Sequence, residues 1–133
     1  MSCVLWSQIS KFTSSVDFSQ DEKEIQVTAT LQANDREAIL AAVGKTVAVR
    51  GKVHDIGRTR SGSIRFINFT GNSRGQFVGI VKKENLDLVT ASLGFDLKTA
   101  LPGRTVELRG EIILYKDIPE IIVTSGNQIW IFE

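Results

Sequence analysis

Cysteine and histidine each occur once in the 133 residues, as Cys3 and His54. One cysteine excludes an internal disulfide framework. One histidine removes most zinc sites and every histidine-dependent catalytic arrangement not built on that residue. Long hydrophobic runs are missing too: no window approaches the roughly 18 consecutive apolar residues of a membrane helix. The opening MSCVLWSQISKF has neither the charged start nor the apolar run of a signal peptide, so the expected location is the cytoplasm. Had a signal been trimmed ahead of Cys3, that cysteine would be placed to accept lipid, and the chain would be lipid-anchored or periplasmic instead.

An excess of either charge is also lacking. Sixteen Lys and Arg stand against 15 Asp and Glu, a formal net charge of +1, so no whole-molecule field announces a nucleic acid or a membrane. The glycine patterns of a P-loop or a dinucleotide site are absent. Carboxylates do not cluster where the cations do, which leaves a metal-assisted hydrolysis without ligands, and no nucleophile has a base beside it. A non-catalytic protein with no cofactor and no metal is expected.

What is present describes one globular domain: 42% hydrophobic and 23% charged residues, enough to bury a core without disulfides. The charge is unevenly spread. Residues 1–44 carry three basic and six acidic side chains, a balance of −3, and residues 84–133 carry four and eight, a balance of −4. Between them Lys45, Arg50, Lys52, Arg58, Arg60, Arg65, Arg74, Lys82 and Lys83 face Asp55 alone, a balance of +8. A basic block thus sits inside a neutral protein.

From Gly44 onward the apolar pattern has a period of two, as in half-buried strands. KTVAVRGKVHD sets Val47, Val49, Gly51 and Val53 on one face and Arg50, Lys52 and His54 on the other; SIRFINFT separates Arg65, Ile67 and Phe69 from Ile64, Phe66 and Asn68. QFVGIVK is apolar enough for a central strand, RTVELRGEIILY turns Val106, Leu108, Gly110, Ile112 and Leu114 inward, and a last strand lies within EIIVTSGNQIWIFE. Five strands are expected. A short helix starts from Asn34 with Glu37 three residues on and ends at Gly44. A second, with Leu86, Val89, Leu93 and Leu97 at near-helical spacing, lies between the third and fourth strands. Residues 1–33 are read as an N-terminal extension, with EIQVTATL as a strand or extended arm, and 34–133 as the domain. GKTVAVRGKV at 44–53 and GRTVELRGEI at 103–112 echo one another, and their shared Gly51 and Gly110 mark a bend or a close backbone approach.

Three strands, a helix and two more strands, with bent first and fourth strands, is the order of the five-stranded Greek-key OB-fold barrel. The pieces VGKTVAVRGKV, GSIRFINF, FVGIV and PGRTVELRGEIILYKDIPEIIVTSGNQI resemble the bacterial OB-fold nucleic-acid-binding domains related to the anticodon-binding barrel of class II aminoacyl-tRNA synthetases, over about residues 42–130. The resemblance implies binding of single-stranded nucleic acid across strands two and three. In those barrels a phenylalanine of a Gly-x-x-x-Phe-Ile-Asp stretch stacks on an anticodon base; GSIRFIN carries Phe66 at that place and Asn68 where the family has an acid, so a synthetase-like base code is not expected.

The residues support the same reading by themselves. Phe66 offers a stacking platform once Ile67 and Phe69 are turned inward, and stacking tolerates any sequence because every base has a π-face. The loop IGRTRSGS brings Arg58 and Arg60, whose guanidinium forks fit phosphate oxygens, on glycines that suggest mobility. Arg65 shares parity with core residues and emerges at the barrel end. Arg50, Lys52 and His54 extend the cationic groove along the first strand, and LYKDIPE adds Tyr115 and Lys116. Trp6 and Trp130 lie outside the central strands and suit packing or an interface. Single-stranded DNA or RNA is the expected partner; a homodimer or a protein partner is also open. The rival function is an OB-fold ligand- or protein-binding module of the bacterial cell envelope.

Overall fold

The computed structural model describes residues 25–70 and 75–132. Cys3, Trp6, Arg74 and most of the N-terminal extension, with the expectation attached to Cys3, lie outside the described residues. The fold is mainly β, with nine strands in two sheets among the described residues. In chain order these are β1 (Thr30–Gln32), α1 (Arg36–Ala41), β2 (Thr46–Lys52), β3 (Asp55–Arg58), β4 (Ile64–Asn68), β5 (Val78–Lys82), α2 (Lys83–Leu93), α3 (Leu97–Ala100), β6 (Thr105–Glu111), β7 (Ile113–Tyr115), β8 (Ile118–Ile122), a 3-10 turn (Gly126–Gln128) and β9 (Ile129–Ile131). Sheet one has the order β9-β6-β2-β1 and sheet two the order β3-β4-β5-β8-β7. The β1–β2 and β5–β8 pairs are parallel and the others antiparallel.

Nine strands stand among the described residues where five were expected, because three of the five are divided between the sheets and β1 precedes them. The first becomes β2 and β3: His54 donates its backbone N–H to Asn68 O (2.7 Å) while Asp55 is in register with the same Asn68. Two residues against one is a bulge, which bends the strand into the second sheet. The fourth becomes β6 and β7, interrupted at Ile112, whose bridge is to Val43. Leu114, expected inside, is exposed as a result, because β7 is an edge strand. The last becomes β8 in sheet two and β9 in sheet one, with the 3-10 turn between them.

Gln128 in that turn ties the sheets together. Its buried amide nitrogen donates to Arg109 O of β6 (3.0 Å) and Ile122 O of β8 (3.1 Å), and its Oε1 accepts from Thr124 N–H (2.8 Å) and Ser125 N–H (3.2 Å). A buried amide satisfied at both ends stabilises the junction where a half-satisfied one would destabilise it.

The core lies between the sheets. Val47, Val49, Val53, Ile67, Val106, Leu108, Ile112 and Ile121 are buried there, closed by Val89 of α2 and by Leu97 and Leu101. Gly51 and Gly110 do mark close approaches: a Cβ on Gly51 would stand 2.7 Å from Ala33 Cβ, and one on Gly110 2.8 Å from Ile121 Cγ2. Helix α1 begins one residue later than expected. Asp35, not Asn34, is the N-cap, its Oδ1 accepting from Ala38 N–H at 3.2 Å, because that carboxylate reaches the third helical amide. Helix α2 stops at Gly94 in the left-handed conformation (φ +88°). Within the stretch read as an extension, Thr30–Gln32 pair with Ala48–Arg50 and cover that edge of sheet one. No described helix is long and apolar enough to cross a membrane.

Candidate nucleic-acid interface

Strand alternation builds the site on β4. Ile67 points into the core, fully buried, so Phe66 and Asn68 stand on the outer face of sheet two. Register extends that face across five strands. Gly57, Phe66, Ile80 and Ile122 form one cross-strand row, and Asp55, Asn68, Val78, Glu120 and Ile113 the next. Val78 and Ile80 are buried on this side, away from the main core, and make an apolar floor. A cleft of about 210 Å³ opens over it, lined by Phe66, Asn68, Val78, Ile118 and Glu120.

The polar groups at the cleft are constrained. Asn68 donates its amide to Asp55 Oδ1 (2.8 Å), so the residue standing where the resembled family has an acid is held by an acid on β3. Burial pushes the Glu120 carboxyl above the usual carboxylate range, and the positive charge of Lys82 pulls it partly back.

The cations of the basic block fall into separate groups. Arg58 and Arg65 are register partners at one end of sheet two, and Arg65 Nη1 donates to Gly62 O (2.9 Å). Arg65 shares the side of Ile67 and emerges half-buried at the sheet end, as expected. Arg60 is exposed in the adjoining loop. Residues 56–58, expected as the start of that loop, belong to strand β3, and in the remainder Thr59, Ser61 and Ser63 link their hydroxyls at 3.0–3.5 Å. Tyr115 and Lys116 reach the same outer face. Lys116 and Asp117, with φ of +50° and +67°, form the two-residue turn from β7 to β8 that sets Tyr115 opposite Ile118. Tyr115 is more than half exposed, and Lys116 Nζ is 5.4 Å from its ring centroid. Arg36 of α1 donates to Asp117 O (3.0 Å) and braces the turn.

Arg50 and Lys52 are not brought to Phe66. They stand on the outer face of sheet one, and exposed His54 sits at the bend between the sheets. The continuous groove expected along the first strand is therefore parted by the bulge. Ile118 and Glu120 were not singled out in the sequence. Their alternation in DIPEII is readable, but which side faces out depends on the parallel pairing of β8 with β5.

No family model and no curated protein matches the chain. Among solved structures, a chain named as an aspartyl-tRNA synthetase from Leishmania major Friedlin superposes with a TM-score of 0.51 at 14% identity, over 87% of this chain and 22% of that one. OBody AM3L15, solved bound to hen egg-white lysozyme, superposes with a TM-score of 0.51 at 15% identity, over 84% of this chain and 98% of that one. The likeness is one of fold. It is OB-like and mainly β, and this chain spans about a fifth of the synthetase's length. A protein named as a nucleic-acid-binding lipoprotein from Klebsiella pneumoniae gives a TM-score of 0.40 at 19% identity, over 75% of this chain and 80% of that one, a superposition too loose to bear on this one.

Proposed function

We propose that the chain binds single-stranded nucleic acid, DNA or RNA, with little sequence preference and without catalysing a reaction on it. The observation that carries this is the outer face of sheet two, where Phe66 lines a cleft with an apolar floor and exposed Tyr115 stands on the same face, while Arg58 and Arg65, from the Ile67 side, emerge with Arg60 at the end of the sheet. Bases stack on the rings and phosphates meet the guanidinium groups. This division of labour gives affinity without a base code. The fold shared with part of a protein named for tRNA is consistent with it.

A second reading, a protein-binding module, has one observation in its favour: the cleft floor is apolar, and the fold is also that of an OBody bound to lysozyme. Salt separates the two. Phosphate contacts release counterions, so affinity for a strand falls steeply with salt, whereas an apolar protein contact barely responds. Fluorescence anisotropy of labelled DNA and RNA of about 15 nucleotides, at the upper end of single OB-fold site sizes, is the direct test. Saturable binding that weakens with salt is expected, and Phe66→Ala lowers the affinity by about 1–3 kcal/mol for every sequence tried. Absence of binding at low salt, where charges are least screened, sinks the reading.

A further inference from the structure

The outer face of sheet one carries a second cluster of aromatic and cationic side chains. Register sets Trp130, Glu107, Arg50 and Gln32 side by side across β9, β6, β2 and β1. Phe132 follows two residues after Trp130, tied to β6 by its N–H to Thr105 O (2.8 Å), so the two rings stand on one side about 7 Å apart along the chain. Each ring carries a guanidinium over its face. Arg109 is 4.2 Å from the centroid of Trp130, and Arg50 is 4.0 Å from that of Phe132. Beneath them Glu107, 2% exposed, accepts from Arg109 Nε (3.0 Å), Arg109 Nη2 (2.8 Å) and Arg50 Nη2 (3.2 Å).

Two properties of this cluster point to a ligand. Arg50, part-exposed, and exposed Lys52 place two cations on the same strand face as the rings. The surface is also open. Trp130 is 38% exposed, Phe132 41% and the Arg50 side chain 41%, and a hollow of about 240 Å³ lies alongside, between Gln32, Asn34, Arg50, Lys52 and Phe69.

We infer that this face is a second contact surface for single-stranded nucleic acid, distinct from the cleft at Phe66. The inference rests on the reading under Proposed function and extends it to a strand longer than one face can hold. Bases stack against Trp130 and Phe132, whose rings the guanidinium groups hold rigid. Phosphates meet Arg50 and Lys52. A planar-ringed anion uses both halves of the cluster, whereas an acidic peptide uses only the cations. The strand reaches this face past Lys52 and His54, exposed where β2 bends into β3.

The test is anisotropy with labelled thymidine oligonucleotides of about 8 and about 24 nucleotides, bracketing single-fold site sizes. It compares the parent chain with Phe132→Ala, Lys52→Glu and Phe66→Ala. Phe132→Ala and Lys52→Glu each weaken the long strand by about fivefold or more and leave the short one within about twofold, while Phe66→Ala weakens both. Lys52 is exposed, so its variant keeps the test valid should removal of the ring over Arg50 prevent folding. Long-strand affinity unchanged in a folded Lys52→Glu chain overturns the second surface alone. So does a loss of binding to labelled polyglutamate without any loss of the long strand, which would assign the face to an acidic protein. A parent that binds neither oligonucleotide fails at the earlier reading.

Discussion

Glu120 shows how one side chain can couple the cleft to the stability of the fold. It stands in the row of Asn68 and Val78, where burial disfavours its charged form more than the nearby Lys82 favours it. Its folded-state pKa therefore lies above the unfolded one, and the folded chain holds its proton more tightly. Stability from this group is complete below the ordinary glutamate range and is lost as pH rises through the raised value. Glu120→Gln removes that loss. In thermal unfolding, the melting temperature of the variant relative to the parent is expected to rise between about pH 4 and about pH 7. A difference that stays flat or falls would mean that desolvation does not govern this carboxyl. Glu107 is more deeply buried and accepts hydrogen bonds from two guanidinium groups, so truncating it would leave both without that partner.

At the scale of the strand, a period of two decides which side chains meet. The inward set Val47, Val49 and Val53, and the outward place of Phe66 once Ile67 is buried, follow from alternation that is plain in the sequence. Alternation failed at Leu114, because edge strand β7 has a face that nothing among the described residues covers. It missed Ile118 and Glu120, because their orientation is set by a strand distant in sequence. Glycines in strands are legible as sites of close approach, but the neighbour is not. Gly110 proves to lie against Ile121 Cγ2, where an added Cβ would come within 2.8 Å, and against Gln128 Nε2, within 3.1 Å. Gly110→Ala therefore forces apart β8 and the amide that ties the two sheets. Overpacking of this kind costs about 1–3 kcal/mol, to be read as a lower urea midpoint with an unchanged m-value.

For the whole molecule, a net charge of +1 conceals two separate cationic faces. Arg58, Arg60 and Arg65 gather at one end of sheet two, and Arg50, Arg109 and Lys52 lie on the outer face of sheet one. Long-range steering should be weak, and salt dependence should come from local phosphate contacts. Arg58→Ala is expected to weaken strand binding and to flatten the plot of log affinity against log salt by about 0.7, one phosphate for a single strand. An unchanged slope in a folded variant would remove Arg58 from the interface. The charge imbalance of residues 45–83 made a basic surface legible. Its division between faces was not, because the bulge at His54 and Asp55 bends the strand away from its own alternation.

Mainly β character, the helix between the third and fourth strands and an aromatic opposite the core on β4 follow from composition and local periodicity alone. Those are properties of neighbours in sequence, and strand or helix geometry propagates them without reference to the rest of the chain. The pairing of β8 with β5 and of β9 with β6, the buried position of Glu107 between two arginines and the cleft beside Phe66 were decided only by tertiary structure. Each depends on segments far apart in sequence meeting across two sheets, and the free energy that selects those meetings comes from burying a shared core rather than from any one segment.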